Sequence, residues 1–145
     1  MAPNIPQCVL ENWIYRHYSC VMVNYSFLKF EKMHFLKENW SIEKIYHEIN
    51  SYEKGMINEL GYQIYRNNEK SWLQKYMLEN MTWPIPIIVI ENKESQLINS
   101  QIVLLGCPFH LVEGHLRLNY FREMYRTEKE NLKKIHQIWR IAIEI

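Results

Sequence analysis

Apolar side chains recur at every third or fourth position in several parts of this chain, which is the spacing of one face of an α-helix. The longest such pattern covers residues 42–65. Ser41 precedes it as a predicted N-cap, and Glu43 lies in its first turn, where a carboxylate suits the positive end of the helix dipole. A shorter pattern over residues 6–18 begins with Pro6, a residue that suits a first helical turn. Both stretches are predicted to be helices.

A third helix is predicted to reach Asn80, with the pair Asn67 and Asn68 breaking the preceding helix and capping this one. Residues 18–30 alternate between apolar and polar positions, which predicts a strand, with a loop pinned by aromatic side chains as the alternative. Residues 30–39 carry mixed charge and predict neither state. The apolar face of the third helix consists of Trp72, Leu73, Tyr76 and Met77.

Helical structure is predicted to end at Pro84 and Pro86, because a residue before proline is pushed towards extended geometry. Residues 87–90 form an unbroken apolar run, which predicts a strand buried on both faces and entered, through the alternating prolines, as an edge strand. Residues 91–100 are polar and predict a hairpin or a longer loop. Residues 102–105 predict a further short strand.

A strand over residues 109–113 is predicted to bend at Gly114 into a helix that starts near His115. Glycine makes such a sharp turn at little steric cost because it lacks a Cβ atom. Residues 127–134 are charged and predict a helical end or a loop, and residues 136–143 alternate as a terminal strand does. The apolar face of the last helix consists of Leu118, Phe121, Met124 and Tyr125.

These elements predict one α+β domain over residues 1–145, with a helical part over residues 1–82 packed on a small mixed sheet from residues 83–145. A chain of 145 residues can bury a hydrophobic core without disulfides or metals to hold it together.

The segment Leu-Val-Glu-Gly-His-Leu-Arg-Leu at residues 111–118 resembles the signature of the ParB/sulfiredoxin-like superfamily. In that family a strand, a glycine-containing turn and a helix form a nucleotide-phosphate site, and an upstream strand of the Pro-Ile-x-Val type accompanies them. Residues 85–90 match this upstream strand, so the resemblance covers about residues 83–125. It implies a ParB/sulfiredoxin-like strand-turn-helix as part of the sheet.

By this resemblance, Gly114 matches the glycine of the motif and Arg117 its last arginine, so that Gly114, His115 and Arg117 are the implied phosphate-binding residues. His115 stands where sulfiredoxin has its catalytic cysteine and ParB a glutamate. Leu116 replaces a polar residue that helps to hold phosphate. The departures at these two positions argue against sulfiredoxin-type chemistry.

Glu113, His115 and Arg117 are the candidate catalytic residues, because the end of a strand and the first turn of the following helix bring their side chains to one cleft. They would supply a carboxylate, an imidazole that titrates near neutral pH and a guanidinium for phosphate. The alternative is structural, in which Glu113 pairs with Arg117, accepts helix N–H bonds and locks the turn. The sequence contains no second cluster of this kind.

No metal site and no cofactor are predicted. Cys107, His110 and His115 include a Cys-x-x-His spacing, but a zinc site takes three or four ligands, usually from recognisable pairs. Cys8 and Cys20 have no adjacent partner, and three dispersed cysteines predict no disulfide framework, which favours a reducing cytosol. The sequence has no apolar run of 18 residues and no leader, so we expect a cytoplasmic protein without a membrane partner.

Charge and aromatic content add to the departure at Leu116 and to the lack of a second cluster as evidence on the class of function. The net charge is +1, from 17 basic and 16 acidic residues, which argues against a nucleic-acid partner and a DNA-binding regulator. The ten tyrosines and five tryptophans fit either a core or a protein interface. The predicted function is a non-catalytic, cytoplasmic protein-binding domain, most concretely an immunity protein that binds and blocks a toxin or effector protein. The alternative is a ParB-like nucleotide-binding enzyme, a nucleotidase or nuclease, that uses Glu113, His115 and Arg117.

Overall fold

The computed structural model describes residues 4–18, 21, 30–50, 60–92 and 106–143, and within them five strands form one mixed sheet. The protein has an α+β fold, as the sequence predicts. The strands are β1 (Met33–Ser41), β2 (Ile49–Asn50), β3 (Ile87–Glu91), β4 (Phe109–Glu113) and β5 (Ile135–Ile143). The helices are α1 (Gln7–Val9, continued as a π-helix over Leu10–Tyr15), α2 (Ile42–Glu48), α3 (Gln63–Arg66), α4 (Trp72–Asn80) and α5 (His115–Glu128).

The strands lie in the order β1-β5-β3-β4-β2. β1 pairs antiparallel with β5 along its whole length, from Met33 opposite Ile143 to Ser41 opposite Ile135. β5 runs parallel to β3, β3 antiparallel to β4, and β4 parallel to β2. The middle position of β3 explains its unbroken apolar sequence, because both of its faces are covered.

Helices cover both faces of the sheet, and the alternation of β3 supplies a core to each. Ile87 and Val89 lie on the face that is covered by α2, α3, α4 and α5. Ile88 and Ile90 lie on the opposite face, in a second cluster with the α1 side chains of the N-terminal segment. The helical side chains buried on the first face are Ile42, Ile45, Ile64, Met77, Leu118, Phe121 and Met124. Those of α1 on the second face are Val9 and Trp13.

The predicted strand, glycine turn and helix around Gly114 are confirmed. Gly114 is the N-cap residue of α5 and has a φ of 108°, a left-handed conformation that side chains other than hydrogen rarely tolerate. A Cβ atom at this position would lie 2.6 Å from Cγ2 of Ile87, so the turn needs glycine for space as well as for conformation. The predicted terminal strand is also confirmed and begins one residue earlier, at Ile135.

The prediction of one helix over residues 42–65 is wrong, because α2 ends at Glu48. The next two residues form β2, in which Ile49 pairs with Phe109 of β4. Nη2 of Arg122 on α5 also donates a hydrogen bond to the carbonyl oxygen of Ile49, at 2.7 Å. The side chain of Ile49 is therefore buried as the helical spacing predicts, but long-range pairing holds its backbone in extended form. Residues 51–59 lie outside the described part of the chain.

The division into a helical part over residues 1–82 and a β-containing remainder is also wrong, because β1 and β2 lie in the first half. Mixed charge concealed β1, whose Glu38 carboxylate accepts hydrogen bonds of 2.9 and 3.0 Å from Arg140 on the neighbouring strand β5. The predicted helix over residues 6–18 is present as α1 and its π-helical continuation. The predictions for residues 18–30, 91–100 and 102–105 fall mostly or wholly outside the described residues.

Two further corrections concern α4 and β3. The N-cap of α4 is Ser71 and not the pair at residues 67–68. Oγ of Ser71 accepts a hydrogen bond from the backbone N–H of Gln74 at 3.2 Å, and Oε1 of Gln74 accepts one from the backbone N–H of Ser71 at 2.9 Å. Such a reciprocal capping box satisfies two backbone donors at once. β3 is not an edge strand, since it lies between β5 and β4, and its prolines precede the strand instead of marking an edge.

Candidate functional site

A cleft of about 490 Å³ opens where β4 ends and α5 begins. Its walls come from the end of α1, the start of α4, the segment ahead of β3 and the turn around Gly114. The cleft therefore lies at the carboxyl end of a strand, next to the N-terminus of the following helix. The lining side chains that matter below are Arg16, His17, Trp72, Ile85, Glu113, His115, Leu116 and Arg117.

Arg117 joins the first turn of α5 to β4 and to the segment ahead of β3. Its Nη2 forms an ion pair with Oε2 of Glu113. Its Nη1 donates to the carbonyl oxygens of Ile85 at 2.8 Å and Pro86 at 3.1 Å. Both charged side chains are largely buried, with exposures of 11% for Arg117 and 12% for Glu113. The guanidinium group thus makes its contacts with the protein itself, which is the structural arrangement that the sequence left open.

The N-terminus of α5 carries no negative charge of its own. Gly114 offers no side chain to cap the helix, and the first turn contains no acidic residue. His115 lies in this turn, is half-buried and lines the cleft. The N–H groups of a first helical turn favour an anionic neighbour.

Two basic side chains from the residues directly after α1 add to the polar lining. Nε2 of His17 lies 4.0 Å from Oε1 of Glu113, and the His17 side chain is 45% exposed. Arg16 is exposed and makes no hydrogen bond or ion pair with the described part of the chain. Among the described residues its guanidinium therefore has no partner, in contrast to that of Arg117.

Three large apolar side chains of the cleft are exposed to solvent. Trp72 is 68% exposed, Leu116 47% and Ile85 41%. Trp72 stands at the start of α4, Leu116 in the first turn of α5 and Ile85 between them in the chain. Single exposed apolar residues are ordinary on protein surfaces, but a group of them around one recess is typical of a binding site.

His110 and His136 are buried imidazoles that do not line this cleft. The amide of Gly106 donates to Nδ1 of His110 at 2.9 Å, so the proton of the neutral ring is on Nε2. Burial and, second, the nearby His115 lower the pKa of His110 to about 4. Burial also lowers the pKa of His136 to about 4. Both imidazoles are therefore neutral at physiological pH.

Of the candidate residues named from the sequence, Glu113, His115 and Arg117 meet at the cleft together with Gly114, whereas Cys107 and His110 lie outside it. Within the described ranges, no three His, Cys, Asp or Glu side chains are grouped so that they could hold a metal ion. Sequence reasoning missed Arg16 and Trp72. Arg16 belongs to no motif, and Trp72 stands at a helical spacing that suits a core face equally well.

No protein-family model matches the chain, and no curated protein and no solved structure matches it. Among the described helices, none is both long and apolar enough to cross a membrane.

Proposed function

We propose that this chain is a non-catalytic protein-binding domain whose partner protein docks on the cleft at the start of α5. The observation that carries the proposal is the exposure of Trp72, Ile85 and Leu116 around one recess. Tryptophan is among the residues that contribute most to protein interfaces, because it buries a large area and loses little conformational freedom. Truncation of such an anchor costs about 2 kcal/mol or more of binding free energy.

The hydrogen bonds of Arg117 support a protein-binding role over a catalytic one. A phosphate site of the ParB type would need this guanidinium to face the ligand, but its Nη1 donates to the Ile85 and Pro86 carbonyls and its Nη2 pairs with Glu113. Leu116, where the resembling family has a polar residue, adds an apolar side chain to the cleft instead. We propose that a ParB/sulfiredoxin-like strand-turn-helix has here become a scaffold for protein binding.

The finer proposal is an immunity protein that acts in the cytoplasm by binding and blocking a toxin. Its support is the combination of an eroded phosphate motif at Leu116, a high content of tyrosine and tryptophan, and the absence of a second catalytic cluster among the described residues. An inhibitor of this kind needs a surface that binds the toxin and does not need catalytic residues.

One observation favours the second candidate, a nucleotide-binding enzyme of the ParB type. The first turn of α5 has no side-chain cap and no acidic residue, and it opens into the cleft beside His115. Phosphate groups bind well at such helix N-termini. In that reading Glu113, His115 and Arg117 would act together, and Arg117 would have to leave the carbonyls that it now contacts.

The test begins with the partner that copurifies with the chain from its native host. Replacement Trp72→Ala should weaken the measured affinity at least about tenfold, since an interface anchor contributes more than 1.4 kcal/mol. Tyr62→Ala is the matched control, because Tyr62 is 41% exposed and lies outside the cleft. Equal affinity of the two variants would contradict the proposed surface. Restored growth when the partner and the chain are expressed together would identify the partner as a toxin.

Calorimetric titration with nucleoside triphosphates separates the two candidates. If the chain is a protein-binding domain, titration of the wild-type chain with nucleoside triphosphates gives no saturable heat of binding. Micromolar nucleotide binding that disappears in His115→Ala, with the melting temperature preserved, would overturn our proposal in favour of the enzyme.

A further inference from the structure

Resting on the proposed function, we propose that the cleft takes an acidic segment of the partner protein. A carboxylate of that segment meets the guanidinium of Arg16, and a neighbouring apolar side chain inserts beside Trp72 and Leu116. The occupant is thus a stretch of polypeptide in which aspartate or glutamate stands next to an aromatic or aliphatic residue.

The charge of the lining carries the first step. Glu113 is the one acidic residue among the described side chains of the cleft, and its Oε2 is already paired with Arg117. With that ion pair counted as neutral, Arg16 carries the remaining formal charge of the lining, and the imidazole of His17 lies 4.0 Å from Oε1 of Glu113. Over the whole chain, 17 basic and 16 acidic residues nearly cancel. The unpaired positive charge of the cleft is therefore that of Arg16.

The availability of Arg16 carries the second step. Its guanidinium makes no hydrogen bond or ion pair within the described chain, and it lines the same recess as the exposed Trp72. A guanidinium fork binds a carboxylate through two parallel hydrogen bonds, which fixes the orientation of the ligand as well as its charge. The apolar Trp72 and the guanidinium of Arg16 line the same cleft, so one short peptide segment can contact both.

The same features favour a polypeptide over a nucleic acid. A nucleic-acid groove needs several lysine and arginine side chains along the phosphate backbone, and among the described residues this cleft offers one arginine with free donors. The donors of Arg117 are directed to Ile85, Pro86 and Glu113 and do not add to that number. The guanidinium of Arg16 can bind one carboxylate, and the apolar surface of Trp72 and Leu116 beside it can take one apolar side chain.

The experiment selects peptides from a random display library on the full chain and measures the dissociation constant of an enriched synthetic peptide by calorimetry. Enriched peptides should combine aspartate or glutamate with one large apolar residue. Arg16→Glu should weaken their binding at least about tenfold, because it replaces attraction by repulsion at the contact. Lys134→Glu is the control, since it makes the same change of net charge at an exposed site outside the cleft.

The outcomes separate this inference from the proposed function. If Trp72→Ala abolishes binding while Arg16→Glu behaves like Lys134→Glu, the cleft is a protein-binding surface and the acidic occupant is wrong. If neither cleft variant changes affinity, both proposals fail. Enrichment of basic or uncharged peptides, no enrichment at all, or competition by a single-stranded oligonucleotide would each overturn the acidic segment.

Discussion

Arg117 illustrates how a single side chain can decide what a site is able to do. Its guanidinium lies between Glu113 and the carbonyls of Ile85 and Pro86, and it is only 11% exposed. A buried charge is costly unless it is paired and hydrogen-bonded, and these contacts supply both compensations. The same contacts tie the first turn of α5 to two other segments. Arg117 therefore stabilises the wall of the cleft, whereas Arg16 makes no such contacts with the described residues.

Replacement of Gly114 by valine should destabilise the protein by a few kcal/mol. The left-handed φ of 108° strains any residue with a Cβ atom, and that atom would lie 2.6 Å from Cγ2 of Ile87. Urea unfolding followed by circular dichroism gives the free energy of unfolding. Lys75→Val, at an exposed position of α4, is the control and should cost less than about 1 kcal/mol. Equal losses in the two variants would show that the turn tolerates a side chain.

His136 should make the protein less stable in acid. Its Nε2 bonds to the Lys133 carbonyl at 2.8 Å, Nδ1 contacts the Thr82 hydroxyl, and burial lowers its pKa from 6.5 to about 4. Between these two values the unfolded chain binds the extra proton, so the free energy of unfolding falls as the pH decreases through this window. One such group contributes a slope of at most about 1.4 kcal/mol per pH unit.

The check on His136 is the slope of unfolding free energy against pH between 4 and 6.5. His136→Gln should make this slope shallower, and the rest of the slope includes the same effect from His110. The neighbouring replacement Gln137→Asn removes no titrating group and should leave the slope as it is. A His136→Gln protein with the wild-type slope would show that His136 does not cause the acid sensitivity.

At the scale of elements, local pattern predicted those whose burial is set by their own sequence. The strand over residues 87–90 and the strand, turn and helix around Gly114 each have one or two strongly apolar faces. The structure contains all of them, although β3 is a central strand and not the predicted edge strand. β1 was missed because its charged Glu38 is paired only across the sheet, with Arg140. β2 was missed because a helical spacing of isoleucines is overridden by its pairing with β4. Contacts between distant residues decide both cases, and no local window contains them.

The capping box of α4 gives a prediction for one element. Ser71→Ala removes the hydroxyl that accepts from the backbone N–H of Gln74, and it should lower the free energy of unfolding by about 1 kcal/mol. Ser71→Asp keeps an acceptor at the same place and should retain most of the stability. Thermal melting of the two variants beside the wild type measures the difference. A Ser71→Ala protein that melts like Ser71→Asp would mean that the cap does not contribute to the stability of α4.

At the scale of the whole molecule, the candidate cleft is a product of the tertiary fold. Arg16 directly follows α1, Trp72 begins α4 and Leu116 lies in α5, and only the last belongs to the motif that the sequence makes visible. The local part of the site, Glu113 to Arg117, was predictable because adjacent residues on a strand and a helix must lie close together. The remaining walls depend on helices that pack on opposite faces of the sheet, which side-chain pattern alone does not place.

Because α1 covers one face of the sheet, loss of its packing should lower the free energy of unfolding of the whole protein. Trp13 is 1% exposed and packs in the cluster with Ile88, Ile90 and Ile141. Trp13→Ala should therefore cost about 3 to 5 kcal/mol. Tyr18→Ala is the control, because Tyr18 is 59% exposed and its loss should cost less than about 1 kcal/mol.

The two possible roles of α1 differ in how the Trp13→Ala protein unfolds. If α1 is part of one cooperative core, urea transitions followed by far-ultraviolet circular dichroism and by the fluorescence of the remaining tryptophans coincide and shift together to lower urea. Of these tryptophans, Trp139 packs against the same cluster as α1 and reports on that face. We expect this result, because the isoleucines that Trp13 covers belong to the central strands β3 and β5. If α1 only rests on a sheet that is stable without it, an early fluorescence transition separates from the main one while the main midpoint stays at its wild-type value. That outcome would contradict the unfolding of both faces of the sheet as one cooperative unit, and it would mean that the α1 wall of the cleft can separate from the sheet.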